Sequence, residues 1–152
     1  MAWTTPKTDW EVGELMRSGA MNAVGENLVE LDRVRKTVAV HTTTADIAIP
    51  NSRTFVDIDS NFNLTITTAG GDVLVHFHGV VVNHPLRIDV EVDGTRLGHD
   101  EYGLRRGEVD HELVNFTHLV QNLSAGSHTF KLQGRNHRTT LRSHAQFWVR
   151  EI

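Results

Sequence analysis

The sequence predicts an all-β sandwich or barrel, and two observations carry that expectation. From Thr37 onward the helical period disappears, and eight or nine short apolar–polar alternations follow one another with turn signals between them. Within them, Asp72–Val82 is apolar on both faces: Val73, Val75, Phe77 and Val81 on one, Leu74, His76, His78, Val80 and Val82 on the other. A strand of that kind needs cover on both sides. One face belongs to the domain's own core. The other calls for a second sheet, another domain or another copy of the chain.

The expected strands run at about Val38–Thr43, Thr54–Ile58, Phe62–Thr68, Asp72–Val82, Leu86–Val92, Thr95–His99, Glu112–Val120, Ser127–Gln133 and His144–Arg150. In Phe62–Thr68, Phe62, Leu64 and Ile66 alternate with Asn63, Thr65 and Thr67, the pattern of a half-buried strand. Gly70-Gly71 reads as a tight turn into the next strand, and Asp93-Gly94 as a two-residue hairpin turn. Tyr102–Asp110, with two glycines and two arginines, is the longest expected loop.

The residues before Thr37 differ. Positions 1–13 carry Trp3, Pro6, Trp10 and Gly13, too irregular for a regular element, and two tryptophans in an arm call for burial against something. Ser18 is a candidate N-cap for a helix over Gly19–Arg35. Met21, Val24, Leu28 and Leu31 form its apolar seam, which packs either on the chain's own sheet or in a short parallel bundle between chains. The expected organisation is therefore an arm and helix over 1–36 and a β-domain over 37–152.

Composition narrows the function classes. At 152 residues the chain is long enough for one domain with a real core. A net charge of −4 gives no reason to expect nucleic acid or an anionic membrane, and no apolar run approaches a membrane span. The amino terminus lacks an apolar leader, so synthesis and folding in a cytoplasm are expected. Without cysteine there is no disulfide and no thiolate metal site.

His76-Phe77-His78 is the sharpest local motif, because residues two apart on a strand point the same way. Gly70 followed after five residues by H-x-H matches the opening of the cupin metal motif. No glutamate follows at Val80–Asn83, however, and no second motif appears. A metal at His76 and His78 is expected only if three copies share it on a threefold axis, where six imidazoles suit an octahedral ion. Otherwise the pair packs at an interface.

Arg135, His137, Arg138, Arg142 and His144 form a basic patch near the end of the chain. With the loop at Tyr102 it is a candidate surface for an acidic partner or a glycan, although such a cluster is more often the solvated tip of a hairpin. No nucleophile elbow, phosphate loop or dinucleotide fingerprint is present, so neither catalysis nor a cofactor is expected.

Two stretches resemble proteins of tailed bacteriophages. WTTPKTDWEVGE followed by SGAMNAVGENLVEL is similar to an opening segment of phage tail-associated proteins, the matching positions being Trp10, Gly13, Glu14, Asn22, Asn27 and Leu28. Arg17 and Gly19 depart from it, standing where that segment has better helix formers. NLSAGSHTFKLQ and the closing QFWVREI resemble the last strands of small phage fibre or appendage domains, which have a jelly roll of the tumour-necrosis-factor or complement-head kind.

The resemblance implies a homotrimeric, non-enzymatic virion component. Its jelly-roll β-sandwich heads would surround a threefold axis, and its amino-terminal segment would dock to other tail or capsid proteins. Trp3, Trp10, Met21, Val24, Leu28, Leu31, Leu74, His76, His78 and Val80 are the expected docking and trimer residues. The expected role is a tail or head fibre or knob that contacts a host-surface glycan through Tyr102, Arg135, His137, Arg138 and Arg142. The alternatives are a capsid decoration protein and a carbohydrate-binding module.

Overall fold

A computed structural model describes residues 38–83, 85–108, 110–136 and 138–152. The expected helix, Trp3, Trp10, Met21, Val24, Leu28, Leu31 and His137 lie outside the described residues. Val38–Ile152 is mainly β: a jelly-roll-type β-sandwich of ten antiparallel strands among the described residues.

In chain order the strands are β1 (Val38–Thr42), β2 (Ile47–Ala48), β3 (Ser52–Asp57), β4 (Asn63–Val82), β5 (Leu86–Val92), β6 (Thr95–Arg96), β7 (Arg105–Gly107), β8 (Glu112–Asn136), β9 (Thr140–Leu141) and β10 (Gln146–Glu151). A short 3₁₀ turn, Ser60–Phe62, precedes β4 and is capped by the Asp59 carboxylate, which accepts from the Asn61 N–H at 2.8 Å.

The expected turn at Gly70-Gly71 is not a reversal. β4 runs straight through it for 20 residues, and β8 continues alongside for 25, so two pairs of expected strands merge into two long ones. The strands pair from Asn63↔Lys131 to Val81↔Glu112, with one register shift between Gly71 and Val73. At that shift Gly70 (φ 94°) and Gly71 (φ 149°) face a segment bounded by Asn122 (φ 55°) and Gly126 (φ 142°). Left-handed backbone on both strands at the same level bends the ribbon instead of ending it.

The bend divides the hydrogen-bonded sheet into two layers. In the first, β1, β10, the second half of β4 and the first half of β8 lie side by side. In the second, the far half of β8 is flanked by β5 on one edge and by β3 and the start of β4 on the other. β6 and β7 both pair with β5. The expected loop at Tyr102–Asp110 thus contains β7.

Alternation sends one side chain in two from each layer into a single core. Phe62, at the head of β4, meets the first layer edge-on, its ring centroid 6.4 Å from Phe77 and 6.3 Å from Phe147. Gly79 interrupts the inward row of β4 because a Cβ there would lie 2.8 Å from Leu141 Cδ1 and 2.9 Å from Ala145 Cβ. The Asp93-Gly94 turn is as expected, both residues having positive φ (49° and 88°) between β5 and β6.

Candidate functional site

Two outer faces of the sandwich gather the residues with chemistry. The first is the outer face of the first layer. Directly opposite residues of an antiparallel sheet point the same way, so the register sets out rows of neighbours. Val38, Arg150, Leu74 and Leu119 make one row; Val40, Trp148, His76 and Thr117 the next. Thr42, Gln146, His78 and Asn115 follow, and Val80 beside Leu113 ends the face. Apolar and polar residues share it, and its apolar side chains are open: Leu113 is 57% exposed, Val40 55%, Val38 47% and Leu119 39%. Leu74, His76, His78 and Val80 are half-buried, unlike Val73, Val75 and Phe77 on the inner face, which have no exposed surface.

His76 anchors this face. Its ring stacks on Trp148 with centroids 5.1 Å apart and planes inclined by 25°, while Nδ1 and the Thr117 hydroxyl share a hydrogen bond of 2.9 Å. The His78 ring lies 5.7 Å away. Burial, and then the neighbouring charge of His78, lower the His76 pKa below its ordinary 6.5. Among the described residues no group of three or more histidine and carboxylate side chains could hold a metal ion.

The second face belongs to the other layer, where three rows cross β5 and β8. Glu91 of β5 faces Lys131 of β8, and their side chains pair at 3.0 Å. Asp89 faces Gln133; its fully buried carboxylate accepts from the Val90 and Gly98 N–H groups at 2.8 and 2.9 Å and pairs with Arg96 at 3.1 Å. Burial nevertheless raises the Asp89 pKa, outweighing the backbone N–H groups and Arg96 that favour the charged form.

The third row is different: Arg87 of β5 lies directly opposite Arg135 of β8 on one side and Arg106 of β7 on the other. A cavity of about 430 Å³ opens there, lined by these three with Arg53, Ser52 and Glu101 among others.

The expected ligand patch is only partly assembled. Arg135 lines the cavity, and Tyr102 reaches it through Arg87, whose guanidinium lies 5.4 Å from the Tyr102 ring centroid. The Tyr102 ring also stacks with His99, centroids 5.2 Å apart. Arg142 does not line the cavity; its guanidinium is held by Asp46 at 2.5 Å, a structural pairing that answers its charge. Arg138 is exposed with φ 61°, in a tight turn between β8 and β9. Arg53, Arg87 and Arg106 were not legible as site residues, because four strands separated in sequence supply the cavity's arginines.

No family model matches the chain, and no curated protein sequence matches it. Among solved structures, a carbohydrate-binding module of lichenase 5A from Cellvibrio mixtus, in complex with cellotriose, superposes with a TM-score of 0.41 at 14% identity, covering 76% of this chain and 88% of that one. The C-terminal carbohydrate-binding module of LamC, a marine laminarinase from Zobellia galactanivorans, gives 0.42 at 12% identity, covering 78% and 95%. At scores this low neither likeness transfers a ligand or a site to this chain.

Proposed function

We propose that the protein is a non-catalytic assembly module that forms a homotrimer through the outer face of its first layer. We further propose that it serves as a phage virion component, a tail or head fibre or knob. The observation that carries this reading is the set of exposed apolar side chains on that face: Val38 and Val40 of β1 and Leu113 and Leu119 of β8 flank the His76–Trp148 stack from opposite sides. Large apolar side chains left exposed together on one sheet face favour a surface that a partner covers. Second and third copies of the same chain supply the cover at no cost in additional partners, and closed cyclic assemblies are the ordinary solution for such a patch. The resemblance of the Trp10–Leu28 segment and of the closing strands to trimeric phage appendages points to the same arrangement.

Labelling intact particles with an antibody against the chain tests the role. Labels gathered at the tail or at a vertex support a fibre or knob, labels spread over the shell support a decoration protein, and unlabelled particles overturn the virion reading.

A second reading, binding of a surface saccharide, is favoured by the arginine-lined cavity on the opposite layer. A glycan array probed with the full chain tests it, and an array without signal removes it.

A further inference from the structure

We propose that the Arg87 row is an oxyanion site, formed by Arg87 with Arg106 and Arg135 directly across from it and Arg53 in the same lining. The inference concerns a different face from the proposed trimer contact and does not depend on it.

Its basis is a contrast between neighbouring rows of one sheet. In the Glu91–Lys131 row each charge has an opposite charge across the strand gap, and in the Asp89 row the buried carboxylate is answered by Arg96. Gln133, opposite Asp89, donates to Asp57 at 3.1 Å and to Glu91 at 2.8 Å. In the next row along the strands three arginines are directly opposite one another and line one cavity. Like charges directly opposite on adjacent strands repel, and the outlay is recovered only if something negative sits among them.

The chain supplies one carboxylate to the cavity lining, Glu101, against four arginines, and Glu101 forms no ion pair with any of them. Among the described residues Arg53, Arg87 and Arg135 have no carboxylate within ion-pair distance, and Arg106 has only Glu108, 3.5 Å away and on the exposed side. Arg135 donates from Nη1 to the backbone carbonyl of Glu101 at 3.3 Å, which orients its guanidinium without neutralising it. Arg87 is held against Tyr102. Two of the three guanidinium groups thus each have a contact that favours their orientation towards the cavity before any ligand arrives, which reduces the entropy lost on binding.

The chemistry recognised follows from the donors. Guanidinium forks match carboxylate, sulfate and phosphate oxygens in pairs, and several forks around one cavity favour a ligand with at least two such oxygens. The local excess of positive charge exists in a chain whose net charge is −4, so it is a feature of this cavity and not of the surface in general. At about 430 Å³ the cavity is larger than a bare oxyanion and lies within the range of small-molecule sites. The oxyanion comes either as the acidic group of a saccharide or as a free inorganic ion.

Thermal unfolding and calorimetric titration of the full chain test the site, using inorganic phosphate, trigalacturonate and a neutral glucan trisaccharide at constant ionic strength. Phosphate and trigalacturonate are expected to bind and to raise the melting temperature of the wild type and of Arg142→Gln, whose arginine lies outside the cavity. They are expected to do neither for Arg87→Gln or Arg135→Gln. Trigalacturonate binding about tenfold tighter than phosphate, or about 1.4 kcal/mol, assigns the site to an acidic saccharide. Equal affinities assign it to a free oxyanion. If one cavity variant fails to fold, the other decides. No binding of either anion to the wild type, or an undiminished response in a folded cavity variant, overturns the proposal.

Discussion

The imidazole of His76 lies on the indole of Trp148, ring centroids 5.1 Å apart, at the middle of an open sheet face. The contact keeps His76 partly out of water, and its pKa is accordingly held below 6.5. Its other neighbours on that face are His78, Thr117 and, one row away, Arg150; no carboxylate is among them.

A stability prediction follows with a definite sign. Because the folded-state pKa is depressed, the stabilisation is fully present above the unfolded value of about 6.5 and is lost as pH falls through it, since the unfolded chain takes up the proton first. Assembly over this face would deepen the effect by removing more water. Oligomer stability measured from pH 8 to pH 5 is expected to decline on the acid side, and His76→Gln with His78→Gln is expected to flatten the decline. An unchanged slope in the double variant would remove His76 as its source.

His128 has the opposite sign. Its Nδ1 is 2.6 Å from the Asp93 carboxylate and its Nε2 is 2.9 Å from the Ser124 carbonyl oxygen, so both ring nitrogens donate when the ring is protonated. The Asp93 hydrogen bond leads in raising the His128 pKa, against a smaller opposing effect of burial. Asp93 is lowered in turn, first by His128 and then by the Thr129 N–H. A raised histidine contributes stability that is complete below about 6.5 and disappears as pH rises through the folded value. Denaturant unfolding of the wild type is therefore expected to weaken from pH 6 towards pH 8 relative to Asp93→Asn, in which that dependence is absent. Parallel profiles would contradict it.

Phe62 tests the sandwich. It is fully buried and touches Phe77, Phe147 and the edge of His41, bringing together the start of β4 and the first layer. Phe62→Ala is expected to cost about 3–5 kcal/mol in chemical denaturation, as a large core cavity does. A loss below about 1 kcal/mol would mean that the two layers do not share this core.

Much of the fold was legible in the alternation. Leu86–Val92 forms a strand over the range expected, because its period is unbroken and Asp93-Gly94 ends it with residues suited to positive φ. The Gly70-Gly71 pair misled, since glycines that accept left-handed backbone serve a reversal and a bend equally well. β2, β7 and β9 are two or three residues long, too short to show any period. The two-faced character of Val73–Val82 pointed to the open outer face at Leu74, His76, His78 and Val80, but not at Val82, which is buried. The arginine cavity was not legible in the same way: Arg87 reads as one polar residue in an alternating strand, and only the register of β7, β5 and β8 brings it against Arg106 and Arg135.

The central claim is that the face around His76 and Trp148 is covered by further copies of the chain. Sedimentation equilibrium of the full chain at micromolar concentration and neutral pH tests it most directly, with Leu113→Glu as the comparison because that side chain is exposed on the same face. The account predicts three times the chain mass of 17.1 kDa for the wild type and a single chain mass for the variant. A wild type that sediments as one chain would contradict it.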